Sequence, residues 1–223
     1  MLVALALTLA AVQVGAQGFS FSQPDNSAQR EQQARDQRVA ELLSTPCRAG
    51  LKDKKIMVVI GEMQSNGFVT AQQQNYGLHF QAINQRLRAL GLKTWTPEEI
   101  RRQVAQAEID AYFRNDPDAA LAASKRLGAN FVLRGLISAE AAPNPIMAVN
   151  QVTVTMGFTL SEASGKVISN AEARGASYAG TDVAGMALTL VNEEADEIVA
   201  RLYADYCRNA GIDPPSKSRP ARK

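Results

Sequence analysis

Hydrophobic and polar residues alternate most strictly between positions 130 and 178. Val152, Val154, Met156, Phe158 and Leu160 fall on one side, and Thr153, Thr155, Thr159 and Ser161 on the other. That period of two describes a strand with one buried and one wet face. An apolar run from Phe131 to Ile137 precedes it across a Pro-containing loop. A third run, 165–176, follows the turn Ser161-Glu162-Ala163-Ser164, and the Ser164-Gly165 step supplies turn residues that fold it back. The three runs predict a β-meander with an apolar face that helices must cover.

The remaining pattern supplies those helices. Lys55-Ile56-Met57-Val58-Val59-Ile60-Gly61 is continuously apolar after its lysine, as expected of a strand covered on both faces. A polar loop, 63–75, follows without periodicity. Leu78, Ile83, Leu87 and Leu90 then recur at near-helical spacing up to the stop signal Gly91, and residues 92–96 read as a short second strand. Thr96-Pro97-Glu98-Glu99 combines an N-cap, a first-turn proline and a capping-box glutamate, which predicts a helix to about residue 114. Asn115-Asp116-Pro117-Asp118 ends it and starts another helix over 119–127, closed by Gly128. The last helix, 183–207, carries the stripe Leu188, Val191, Ala195, Ile198, Leu202 and Tyr206. Its acidic run Glu193, Glu194, Asp196 and Glu197 reads as a solvated face. The order β-α-β-α-α-β-β-β-α predicts an α/β (α+β) fold, a mixed β-sheet covered by helices in one domain spanning 45–209.

The two ends read differently. Residues 2–14 are almost wholly apolar, yet too short for the ~20 residues of a spanning helix, and they run into Val14-Gly15-Ala16. This predicts a signal peptide over 1–16, with cleavage near Ala16 and a periplasmic or secreted mature chain. Residues 17–44 read as a flexible polar leader, with a short helix over 38–43 at most, and 210–223 as a disordered basic tail. The formal net charge of +2 contains four positive charges within 217–223. The folded part is therefore close to neutral, which argues against a nucleic-acid footprint. No apolar run is long enough for stable membrane insertion.

Export gives the two cysteines meaning. Cys47 and Cys207 permit one intramolecular disulfide, tying the start of the domain to the end of its last helix. Free thiols and an intermolecular bridge are the alternatives. Neither cysteine lies in a Cys-x-x-Cys motif, so redox catalysis is not expected.

Candidate chemistry is sparse. His79, the single histidine, has no ligand-spaced Cys, Asp or Glu beside it, and no Gly-x-Ser-x-Gly elbow or Gly-rich phosphate loop occurs. No catalytic, cofactor or metal residue is therefore assigned, and the chain is expected not to be an enzyme. Glu98 and Glu99 are explained by capping. Arg134, inside a strand, reads as an exposed or edge residue, or one ion-paired with Glu172 or Glu140. Two loops read as contact surfaces. One, with Gln64 and Asn66, leaves the carboxyl end of the first strand, where α/β sheets place ligands. The other spans 141–150 and carries Pro143, Pro145, Ile146 and Met147, too long and apolar for a mere turn.

Leu127-Gly128-Ala129-Asn130-Phe131-Val132-Leu133-Arg134-Gly135-Leu136-Ile137, an alternating strand, and then Ser164-Gly165-Lys166-Val167-Ile168-Ser169 resemble a bacterial envelope superfamily. Its members include the LpoB-type lipoprotein activators of penicillin-binding proteins, the curli secretion lipoprotein CsgG, the flagellar protein FlgT and the TolB amino-terminal domain. The resemblance covers roughly 55–207; the chain departs from it in having no lipidation cysteine after the apolar leader. It implies an α/β sandwich that binds envelope protein partners without catalysis. A periplasmic small-ligand-binding domain and a hydrolase of envelope material are the alternative functions.

Overall fold

The structure, a computed structural model, describes residues 26–63, 69–70, 77–114, 116–146, 149–179 and 181–212. Its elements in chain order are α1 (Ser27–Leu43), α2 (Arg48–Leu51), β1 (Lys55–Met63), β2 (Val69–Thr70), α3 (Gly77–Ala89), β3 (Lys93–Thr94), α4 (Pro97–Gln103), α5 (Gln106–Phe113), α6 (Pro117–Leu127), β4 (Phe131–Pro143), β5 (Asn150–Glu162), β6 (Val167–Ala179) and α7 (Val183–Asn209). The strands form one mixed sheet in the order β2-β1-β4-β5-β6, with β3 also paired to β1.

β1 explains its own composition. Ile56, Val58 and Ile60 enter a core roofed by α3 and α7, while Met57 and Val59 enter a second core under α4, α5 and α6. A strand buried on both faces has no position for a polar side chain, hence the continuous apolar run. It pairs in parallel with β4, from Ile56 opposite Phe131 to Glu62 opposite Ile137. β4, β5 and β6 form the expected antiparallel meander, with Gly165 (φ +92°) in the β5–β6 turn. The apolar set of β5 lies fully in the α7-side core. β6 ends the sheet. Its Ile168 and Glu172 carbonyls accept hydrogen bonds from Asn209 Nδ2 (3.0 Å) and Arg201 Nη1 (3.2 Å) of α7, which covers part of an otherwise open strand edge.

Several expectations are corrected. The helix expected over 97–114 is two helices, because Val104 adopts an extended conformation (φ −123°, ψ 122°) that points it into the second core. The Ala105 N–H then donates to Glu108 Oε2 at 3.1 Å, starting α5 with half a capping box. The helix expected from 119 starts at Pro117, where Asp116 Oδ1 accepts from the N–H groups of Asp118 and Ala119. β2 lies within the stretch expected to be loop, and α2 has no counterpart in the sequence pattern.

The largest departure is α1. A flexible leader was expected to residue 37, but a helix runs from Ser27 to Leu43 and lies along α7. Arg35 Nη1 meets Glu194 Oε1 at 3.1 Å and Arg38 Nη2 meets Glu197 Oε2 at 3.2 Å. The acidic run is therefore solvated only in part: Glu193 and Asp196 are exposed, whereas Glu194 is half-buried and Glu197 buried. Glu197 also pairs with Arg201, and Asp196 is held by Arg86 of α3 at 2.7 Å. The expected signal segment 1–16 and the tail beyond Ile212 lie outside the described residues.

Candidate functional site

β4 and β5 outrun their support. β1 reaches only as far as Ile137, whereas β4 and β5 stay paired to Pro143 opposite Asn150. Residues 139–143 of β4 are consequently exposed on both faces. The projecting end is rooted through β5 and β6. Val152, Val154 and Ala179 are buried in the α7-side core, with Val183 and Met186 at the start of α7 packed against it. That start is fixed by Asp182 Oδ1, which accepts from the Gly185 N–H at 2.8 Å.

At the tip the Asn144 N–H donates to the Val149 carbonyl at 2.9 Å, and Asn144 Oδ1 accepts from the Ile146 N–H at 2.9 Å. The side-chain-to-backbone bond makes an Asx turn over Asn144-Pro145-Ile146, directly after Pro143. It presents Ile146, which is 91% exposed, with Pro143 and Pro145 exposed beside it. An apolar side chain so fully in water, on a turn fixed by hydrogen bonds, is what a contact surface requires. Met147, Gln64 and Asn66 lie outside the described residues.

The outer faces of β5 and β6 form a second accessible surface. In the pairing, Arg134 stands opposite Thr159, which stands opposite Asn170, and Thr155 stands opposite Arg174. Thr159 Oγ1 donates to Asn170 Oδ1 at 2.9 Å. Arg134 is half-buried on a strand paired on both sides, not at an edge. Its guanidinium sits 5.6 Å from the Phe113 ring centroid on α5, a cation–π contact that accounts for its place among apolar neighbours.

The interior offers little to a ligand. A cavity of about 20 Å³ lies between Leu51, Ile56, Leu87, Leu133 and Tyr203, with room for about one water and an apolar lining. Larger spaces are open grooves: about 380 Å³ beside Arg38, Glu41, Glu197 and Arg208, and about 660 Å³ beside Arg35, Asp36, Thr189 and Asp196. Among the described residues no three His, Cys, Asp or Glu side chains come together as a metal site would need. His79 sits half-exposed on α3. No described helix is long and apolar enough to cross a membrane.

The sulfurs of Cys47 and Cys207 are bonded, with Cα atoms 5.7 Å apart. Tyr203 Oη beside them accepts from the Cys47 N–H at 3.1 Å and donates to the Thr45 carbonyl. One turn further along α7, Tyr206 Oη donates to the Gly50 carbonyl at 3.2 Å. The cysteine pair and Tyr206, as part of the apolar stripe of the last helix, were legible in the sequence; Tyr203 was not, its only signal being its place one turn before Cys207.

No family model matches the chain, and no curated protein matches it. Among solved structures it is similar to the PelC dodecamer from Paraburkholderia phytofirmans, at 17% identity and TM-score 0.41, over 72% of this chain and 93% of that one. It is also similar to lipoprotein GNA1162 from Neisseria meningitidis, at 15% identity and TM-score 0.43, over 65% of this chain and 99% of the other. The LpoB C-terminal domain from Salmonella enterica matches at 15% identity and TM-score 0.36, over 63% and 94% of the two chains. At these scores the likeness carries no function to this chain.

Proposed function

We propose that this is an exported bacterial envelope protein that acts by contact with another envelope protein, without catalysis of its own. The apolar leader ending Val14-Gly15-Ala16 and the Cys47–Cys207 bond support export, since disulfides persist in oxidising compartments. The motif from Leu127 to Ile137 with its glycine-lysine hairpin supports an envelope role through the superfamily it resembles.

The observation that carries the contact reading is the hairpin tip. Ile146 is 91% exposed on a turn that hydrogen bonds hold and buried strands root. Leaving so large an apolar side chain in water brings no folding benefit, and a partner surface would give it one. The test is site-specific photo-cross-linking from the nearby exposed position 142 in periplasmic extract, with mass spectrometry of the adducts. One discrete envelope partner is expected, and its capture should be lost in Ile146→Asp while thermal stability is unchanged. No adduct above background, or capture that survives Ile146→Asp, would overturn the reading.

A further inference from the structure

β6 ends the sheet, and its outer edge is only half guarded. The strand runs Val167–Ala179 with β5 as its neighbour on one side. In an antiparallel strand the N–H and C=O of successive residues point alternately to the two sides. The Glu172 carbonyl faces away from β5, since Arg201 of α7 donates to it, so the backbone groups of Asn170, Arg174, Ala176 and Tyr178 face away as well. Side chains of α7 reach the carbonyls of Ile168 and Glu172, but among the described residues nothing bonds to the outer edge from Arg174 to Tyr178. The strand has no proline and no lysine, and its charges stand on the exposed face, so the usual devices against edge pairing do not operate there.

Those charges fit a second β6. Glu172 and Arg174 are exposed, and neither forms an ion pair among the described residues. They flank Ala173, the midpoint of the strand. Two copies of β6 laid antiparallel about a two-fold axis at Ala173 overlap over their whole length. In that register Glu172 of each copy stands opposite Arg174 of the other, twice over, and both residues turn their backbone groups outward, so each pair also exchanges two backbone hydrogen bonds. Moving the axis one residue either way would set Glu172 against Glu172, or Arg174 against Arg174. On the α7 side the seam is lined by the small residues Ala171, Ala173, Gly175 and Ser177, which lets two strands close to bonding distance. Arg201 and Asn209 each take one lone pair of a carbonyl and leave the second.

We propose that the outer edge of β6 is an interface for a second copy of this chain, joined antiparallel about Ala173 into one continuous sheet, with Glu172 and Arg174 setting the register. The interface shares no residue with the hairpin tip.

The full-length chain is followed by sedimentation between about 1 and 200 µM, with circular dichroism as the check on folding. Wild type should pass from monomer to dimer over that range. Glu172→Arg and Arg174→Glu each turn both attractive pairs into repulsive ones and should weaken the dimer about tenfold or more. Glu172→Arg/Arg174→Glu restores opposite charges and should return the affinity to within about threefold of wild type. A second measurement needs neither charge. With the axis at Ala173, the two copies of this residue form a non-hydrogen-bonded pair with Cα atoms about 4.5 Å apart, inside the range of a disulfide. Ala173→Cys should therefore oxidise to a covalent dimer at least about tenfold faster than Ala176→Cys, although position 176 is the more exposed. A chain that stays monomeric throughout, single swaps without effect, a folded double swap that does not recover, or oxidation as fast at 176 as at 173 would overturn the proposal. Should a charge variant not fold, the wild-type series and the two cysteine variants decide.

Discussion

Tyr203 Oη accepts the backbone N–H of Cys47 at 3.1 Å, so a helix residue buried in the main core satisfies the chain that enters it 156 positions earlier. The same hydroxyl donates to the Thr45 carbonyl. Tyr203→Phe keeps the ring and removes only the hydroxyl, leaving a buried N–H and carbonyl without that partner. Urea unfolding should show a loss of about 1–3 kcal/mol, the usual cost of orphaned buried polar groups. A change below about 0.5 kcal/mol would mean that the hydroxyl contributes nothing.

The neighbouring disulfide acts through the unfolded chain. Cys47 and Cys207 are 160 residues apart, so their bond closes a long loop. By chain entropy its loss should cost up to about 5 kcal/mol. Comparing melting temperatures of Cys47→Ser/Cys207→Ser and wild type, with and without reductant, checks this. Wild type under reductant should fall to the value of the variant, and the variant should not respond.

The carboxylates under α1 should answer to pH in opposite ways. At Glu197 burial acts to raise the carboxyl, but hydrogen bonds and charge from Arg201 and Arg38 outweigh it and hold the value below the ordinary 4.5. A folded value below the unfolded one gives stability that is present above pH 4.5 and lost as pH falls through the folded value. Glu197→Gln should thus destabilise by about 1–3 kcal/mol at neutral pH, with the difference from wild type vanishing in acid. Burial raises Glu194, so its ionised form is the unfavourable one, and Glu194→Gln should be neutral or stabilising at pH 7. Denaturation curves between pH 3 and 7 distinguish the two.

These charge contacts also mark where sequence reading stopped. Periodicity disclosed the sheet and α7, because one or both faces of each element are buried and the side-chain pattern is the burial pattern. It failed for the first three turns of α1, where residues 27–38 carry no apolar side chain larger than alanine and the helix is fixed by partners on α7 that no local window contains. For the same reason Glu193–Glu197 looked solvated. The break at Val104 was hidden because Ala105, unlike Thr96, has no capping side chain, so only Glu108 marked the new start. The hairpin tip was legible from Pro143, Pro145 and Ile146, since prolines beside an apolar residue break a strand pattern visibly. Its projection beyond β1 was not, being a property of the β1–β4 register.

Gly135 is a position where register alone decides. It stands opposite Phe158, and a Cβ built on it would collide with the Phe158 ring, whose Cδ1 would lie 2.9 Å away. Nothing in the run Leu133-Arg134-Gly135-Leu136 discloses this, because the ring arrives from a strand more than twenty residues later. Gly135→Ala forces the ring out of a core position that is 2% exposed, and overpacking of this kind costs about 1–3 kcal/mol. Phe158→Leu alone should also destabilise, by loss of buried area. The double variant should be less destabilised than the sum of the two, because the leucine vacates the space the new methyl needs. A double-mutant cycle by urea unfolding measures that coupling, expected at about 1 kcal/mol for residues in direct contact. Strict additivity would mean that the strain at Gly135 comes from its backbone and not from the Phe158 ring.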